Sequence, residues 1–193
     1  MGLDQRIGKK FLHPGPGYGG SCFPKDTRAV VELAREMGVP LRIVQAVIDV
    51  NDARIGRMLE KIREAAGGSL SGKTVALLGL TFKPNTDDLR ESPAIAILEA
   101  VLSEGASVRA YDPVAMSIAA RTERKGVVYC KDEYDAAEGA DVLVVATEWN
   151  QFRGLDPDRV RARMRAAAVV DLRNVYDPEL VRSKGFRYFG VGR

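Results

Sequence analysis

Apolar residues along this chain change their period once, beside a run of small residues, and that change divides it. From Pro24 to Gly38, Val30, Leu33, Ala34 and Met37 recur at helical spacing, and a glycine closes the run. A second helix is predicted from Pro40. Its seam of Leu41, Val44, Ile48, Ile55, Met58 and Ile62 alternates steps of three and four, with Asn51 in the one position the seam would otherwise fill. Such a stripe needs a covering surface. The cover is either the rest of this chain or a second copy, with Asn51 facing a polar group inside the contact. The run Gly67-Gly68-Ser69-Leu70-Ser71-Gly72 then breaks the period.

Past the glycines, short apolar runs alternate with amphipathic ones. Residues 74–79, 107–112, 127–130, 141–147, 167–172 and 186–191 read as strands, the first as one buried on both faces. A helix is predicted over 93–104, capped by Ser92 with Pro93 in its first turn, and others near 114–121, 133–138 and 156–166. Alternation of this kind predicts an α/β fold with right-handed crossovers, a Rossmann-like doubly wound parallel sheet. The chain is therefore divided into a helical segment, 1–70, and a sheet domain, 71–193. Ligands on such sheets bind at the carboxyl ends of the strands, where Thr81–Ser92, Asp112, Thr147–Trp149 and Arg173 fall.

Composition narrows the function classes. A chain of 193 residues can bury one core plus a helical appendage, and 46% hydrophobic with 28% charged residues is ordinary for a globular protein. A formal charge of +3 suits an anionic small molecule. No basic face interleaved with aromatics argues for a nucleic-acid partner, and Arg159, Arg161, Arg163 and Arg165 read as a solvated helix face. No apolar run has membrane-spanning length and no signal peptide is recognisable, so no membrane partner is expected and the expected location is the cytoplasm. The two cysteines stand in different contexts and build no disulfide framework. With one histidine, His13, and no Cys/His cluster, no metal site is expected.

The segment Gly15-Pro16-Gly17-Tyr18-Gly19-Gly20-Ser21-Cys22-Phe23-Pro24-Lys25-Asp26 concentrates the candidate chemistry. Its glycines and prolines fix a backbone that can bring main-chain N–H groups close to an anion or a sugar. Cys22 falls where a helix begins, so a thiolate there gains from the helix N-terminus and from Lys25. Asp26 is placed to orient a water or take a proton. Against this stands the commoner fate of a lone thiol, burial as a small hydrophobe, which is the reading given to Cys130. The first strand-to-helix turn, 79–92, lacks G-x-G-x-x-G and carries Lys83 and Arg90 instead, so cations replace the backbone contacts of a dinucleotide turn. Asp112 ends the second strand where a ribose-binding acid often sits, but Asp112-Pro113 is read as a turn.

The twelve-residue thiol segment, with Asp4-Gln5-Arg6-Ile7-Gly8 and Phe11-Leu12, resembles the active-site loop of the UDP-glucose/GDP-mannose dehydrogenase family. Residues 79–93 resemble the start of that family's C-terminal UDP-binding domain. The resemblance implies a C-terminal fragment, lacking an NAD-binding domain and inactive alone, of an NAD-dependent enzyme oxidising UDP-glucose to UDP-glucuronate. It implies catalysis by Cys22, Lys25 and Asp26 through a Cys-linked thiohemiacetal and thioester. It implies contacts to the nucleotide sugar from Arg6, Phe11, Gly15, Gly17, Tyr18, Gly19, Lys83 and Arg173, and to the cofactor's phosphates from Arg90. It tips the second helix, 40–66, towards a homodimer contact. GDP-mannose as substrate, a non-catalytic nucleotide-sugar-binding module, and an unrelated Rossmann-like domain with a buried Cys22 stay open as alternatives.

Overall fold

The computed structural model describes residues 1–9 and 12–193. Its centre is one parallel sheet of six strands in the order β3-β2-β1-β4-β5-β6. The strands are β1 (Thr74–Leu78), β2 (Ser107–Tyr111), β3 (Val127–Tyr129), β4 (Val142–Val145), β5 (Ala168–Asp171) and β6 (Arg187–Gly190). All of β4 and β5 is buried, because helices cover both faces. Leu78 pairs with Tyr111 on one side and Val145 on the other, and Val145 pairs with Asp171. These four strands therefore end together, and the loops that follow emerge along one edge. The doubly wound sheet expected from the sequence is the one observed.

The pleat of β1 sorts its side chains into two cores. Val75 and Leu77 face α3 (Pro93–Ser103) and α2 (Arg42–Ala65), packing with Ile97, Leu98, Val101, Met58, Ile62 and Ala65. Ala76 and Leu78 face α5 (Glu133–Ala137), α6 (Asn150–Arg153), α7 (Pro157–Arg163) and α8 (Pro178–Ser183), with Phe152 at the centre. The short α4 (Met116–Ala119) adds Ala119 to the first core. Cys130, just past β3, is buried as expected, and burial pushes its thiol up to about 11.

Helix α2 is divided in its duties. Its C-terminal half belongs to the sheet: the Arg187 guanidinium donates to the Ala65 carbonyl at 2.6 Å, and Arg63 pairs with Glu104 at the end of α3. Its N-terminal half pairs with α1 (Phe23–Glu36), which buries only Pro24. Of the predicted seam, Ile48, Met58 and Ile62 are buried, whereas Leu41, Val44 and Ile55 are half-buried. Val30, Leu33, Met37, Val39, Ile43 and Val47 are exposed. Of the stripe predicted for α1, Ala34 is half-buried, while Val30, Leu33 and Met37 find no cover among the described residues.

Candidate active site

Cys22 occupies the N-cap of α1, its thiol exposed and making no capping bond. The Asp26 N–H donates to the Cys22 carbonyl at 2.7 Å, closing the first turn. Pro24 fits that turn because its missing N–H would have no intrahelical acceptor. One turn of helix thus sets Lys25 and Asp26 beside the thiol, with Lys25 Nζ 2.5 Å from Asp26 Oδ1. That hydrogen bond is the main reason the Lys25 ammonium titrates above its ordinary value, and charge on Cys22 adds to it. Arg90 is likewise held above its usual value, mainly by Asp88, with Cys22 again contributing. Lys25 and Arg90 are therefore two cations near the thiol.

The glycines of the loop have a packing reason. The Gly20 N–H donates to the Arg90 carbonyl at 3.0 Å. A side chain at Gly19 would strike the Glu91 carbonyl and the Pro93 ring, and one at Gly15 would collide with the Arg173 guanidinium. Gly17 lies beside Asn51 Oδ1, which accepts the Tyr18 N–H at 2.8 Å. The polar group that Asn51 faces is thus the backbone of its own chain's loop. Arg54, one turn of α2 further on, donates from Nε to the Gly15 carbonyl at 2.5 Å. Between loop and helices runs a groove of 490 Å³, lined by Tyr18, Arg28, Asn51, Ile55, Glu91 and Ile95 among others.

At the sheet edge the turn after β1 is already filled. The fully buried Asp112 accepts through Oδ2 from the N–H groups of Leu80 and Thr81, the Thr81 hydroxyl and the Trp149 indole. Its Oδ1 takes the N–H groups of Val114 and Ala115. The turn read at Asp112-Pro113 exists, but the carboxylate does more: it fills the hydrogen-bonding needs of two separate turns. Thr147 and Ser92 lock the same segment, donating to the carbonyls of Thr81 and Leu80 at 2.6 Å each. The amides of residues 80 and 81 are therefore spent on an internal anion. This edge does not fit a dinucleotide pyrophosphate in the manner of a G-x-G-x-x-G turn.

The remaining predicted residues are dispersed or partnered. Lys83 is exposed, 5.3 Å above the Phe82 ring. Arg90 is gripped by both oxygens of Asp88. Arg173 pairs with Glu148, and its Nε is buried with no hydrogen-bond partner among the described residues. Arg6 is exposed and paired with Asp4 at 2.7 Å. Phe11 lies outside the described residues. The structure thus joins Gly15 to Arg173, and the thiol turn to Lys25, Asp26 and Arg90, while Lys83 and Arg6 show no contact to the thiol. Arg54, Asp88 and Glu148 were not singled out from the sequence, although Asp88, after β1, and Glu148, after β4, lie in the strand-end segments where ligand chemistry is expected. Among the described residues no cluster has metal-ligand character, and no helix is long and apolar enough to cross a membrane.

A doubly wound sheet whose first turn is occupied by its own carboxylate, joined to a helical segment that starts at an exposed cysteine, defines a Rossmann-like α/β domain with a helical appendage. The UDP binding domain of the UDP-glucose/GDP-mannose dehydrogenase family matches residues 76–178, and that family's central domain matches residues 1–53. The chain belongs to the UDP-glucose/GDP-mannose dehydrogenase family. It is 52% identical over its whole length to the UDP-glucose 6-dehydrogenase of Rhizobium meliloti, of which it spans 44%. A UDP-glucose dehydrogenase structure from Pyrobaculum islandicum superposes with a TM-score of 0.82 at 38% identity, over 98% of this chain and 41% of that one. A UDP-D-ManNAc dehydrogenase from Pyrococcus horikoshii gives 0.80 at 28% identity, over 99% and 42%.

Proposed function

We propose that this chain supplies the thiol and the nucleotide-sugar half-site of an enzyme that oxidises UDP-glucose to UDP-glucuronate. The observation that carries the reading is the exposed Cys22 at the start of α1, set beside Lys25 and Asp26 by one helical turn. In this reading, residues 1–70 provide the thiol loop and the dimer helices, and 71–193 hold the UDP-sugar. NAD, the oxidant implied by the family, supplies hydride acceptance; the turn after β1 does not fit it, and this chain's residues act on the sugar. Arg90, gripped by Asp88, is the one residue here assigned to the cofactor's phosphates.

The chemistry assigned to these residues is covalent. Once the sugar's C6 alcohol has given up a hydride and a proton, the Cys22 thiolate adds to the aldehyde carbon and forms the thiohemiacetal as its alkoxide. Loss of a second hydride from that alkoxide restores the carbonyl and leaves a thioester on Sγ. Water adds to that carbonyl with Asp26 taking its proton, the C–S bond breaks, and the uronate leaves while the thiolate returns. The Lys25 ammonium, already paired with Asp26, faces the negative charge that gathers on oxygen or sulfur during each addition. Arg173, Lys83, Arg6 and Phe11, with the loop of Gly15, Gly17, Tyr18 and Gly19, hold the nucleotide and sugar. The buried, unpartnered Nε of Arg173 supports an anionic ligand there, because such a donor gains most from a charged acceptor.

The exposed apolar face of α1 and α2 supports a homodimer through the helix at 40–66, an arrangement that would cover Ile43 and Val47. The reaction's substrate and cofactor are soluble metabolites, in keeping with a cytoplasmic setting. Calorimetric titration of the intact protein with UDP-glucose and, in parallel, GDP-mannose tests the substrate. Selective heat with UDP-glucose is expected; selective heat with GDP-mannose would overturn the choice of nucleotide.

A further inference from the structure

Arg173 sits just beyond the carboxyl end of β5, and Glu148 just beyond that of β4. Arg173 Nη2 donates to Glu148 Oε1 at 2.5 Å, with side chains only 17% and 25% exposed. The Arg173 N–H is fixed in turn by Asp171 Oδ1 at 3.1 Å. The guanidinium then reaches under the thiol loop, where its Nη1 fills the space that a side chain at position 15 would need. The Gly15 carbonyl is in turn held by Arg54 from α2. Gly15 is thus in contact with a cation from the sheet end and hydrogen-bonded to a cation from the helix.

We infer that Glu148 is a positioning residue: by fixing Nη2 it aims the Arg173 guanidinium beneath Gly15, and so sets the thiol loop at its height over the sheet edge. A guanidinium this far from water does not stay in place without its counter-charge; it swings towards solvent when the carboxylate is removed. Gly15 then loses the surface it rests on, and the segment leading to Cys22 loosens. Glu148 touches neither thiol nor nucleotide sugar in this scheme. The inference rests on the proposed nucleotide-sugar reading only for its consequence in binding, because Arg173 is also the cation assigned to the ligand.

The test is hydrogen exchange on the intact, ligand-free protein, read at the loop amides of Tyr18 and Gly20 and at core amides of β1 and β4. Glu148→Gln keeps the shape and removes the charge. It is expected to speed exchange across 15–22 by about tenfold, the scale of coupling within one ion-pair network, and to leave the core amides unchanged. Gly15→Ala, which displaces the same guanidinium, is expected to do likewise, and the double variant to be no faster than the faster single one. Should Glu148→Gln destabilise the whole protein, Arg173→Lys, which keeps the charge but loses the fork, is expected to loosen 15–22 alone. Unchanged loop exchange in the folded variants would overturn the inference, and so would single-variant effects that multiply in the double. Titration with UDP-glucose separates this from the functional reading. A tenfold weaker Kd in Glu148→Gln is expected; an intact wild-type protein that binds no UDP-glucose would sink the proposed function while the exchange result still decides the role of Glu148.

Discussion

Cys22 and Cys130 carry the same atoms in opposite surroundings, one exposed at the start of α1 and the other buried with its thiol pushed up to about 11. Iodoacetamide at neutral pH is therefore expected to modify Cys22 in the native protein and Cys130 only after unfolding, as read by peptide mass mapping. Asp112 offers the complementary case of a residue whose weight is structural. Replacing it by Ala strands the buried amides of Leu80 and Thr81 and the Trp149 indole, and about 3 kcal/mol of stability should be lost in denaturant unfolding. The thiol string was legible because its chemistry is contiguous. Asp112 was not, beyond its turn, because its donors come from residues 80–81, 114–115 and 149. Only folding brings those segments to one carboxylate.

Among the elements, the six strands were legible because each apolar run is buried by helices and bounded by turn residues. Helices α6 and α8 were not, since four and six residues make too few turns to show a period. The Asp177-Pro178 pair that caps α8 was the available signal, with Asp177 accepting the N–H groups of Glu179 and Leu180. The loop 172–176 and strand β6 make a pH-dependent unit around Asp171. The buried Asp171 carboxylate accepts the Tyr188 hydroxyl at 3.0 Å and the Tyr176 N–H at 2.9 Å. Burial, followed by the charge of Asp171, pushes both phenols far above their ordinary 10.0. A raised phenol favours the protonated folded state, so its stabilisation is complete below pH 10 and is lost as pH rises past the unfolded value. Denaturant midpoints should therefore fall steeply above about pH 10, and the fall should shrink in Tyr188→Phe. At the acid end the sign reverses. Arg63 holds the Glu104 carboxyl below its usual range, so the tie between α2 and α3 is present at neutral pH and is lost as pH falls through the depressed value.

For the molecule as a whole, α2 is the shaft that joins the thiol loop to the sheet. Its C-terminal half lies in the sheet's core, its middle holds the thiol loop through Asn51 and Arg54, and its N-terminal half shows apolar residues to solvent. The sequence pattern showed the seam but left its cover open; this chain covers the C-terminal half and Asn51, and leaves Ile43 and Val47 exposed. If the proposed homodimer forms through α2, the wild-type protein is a dimer in sedimentation equilibrium, and Ile43→Asp with Val47→Asp is expected to convert it to a monomer without moving far-UV dichroism; a monomeric wild type, or a dimer unchanged by the two substitutions, would contradict that contact. The proposed reaction turns on Cys22 itself. The most direct measurement is uronate formation from UDP-glucose and NAD by the intact protein carrying Cys22→Ser, with UDP-glucose binding followed in the same samples. Binding retained and uronate abolished is the predicted result; uronate released at the wild-type rate would contradict the covalent role of the thiol.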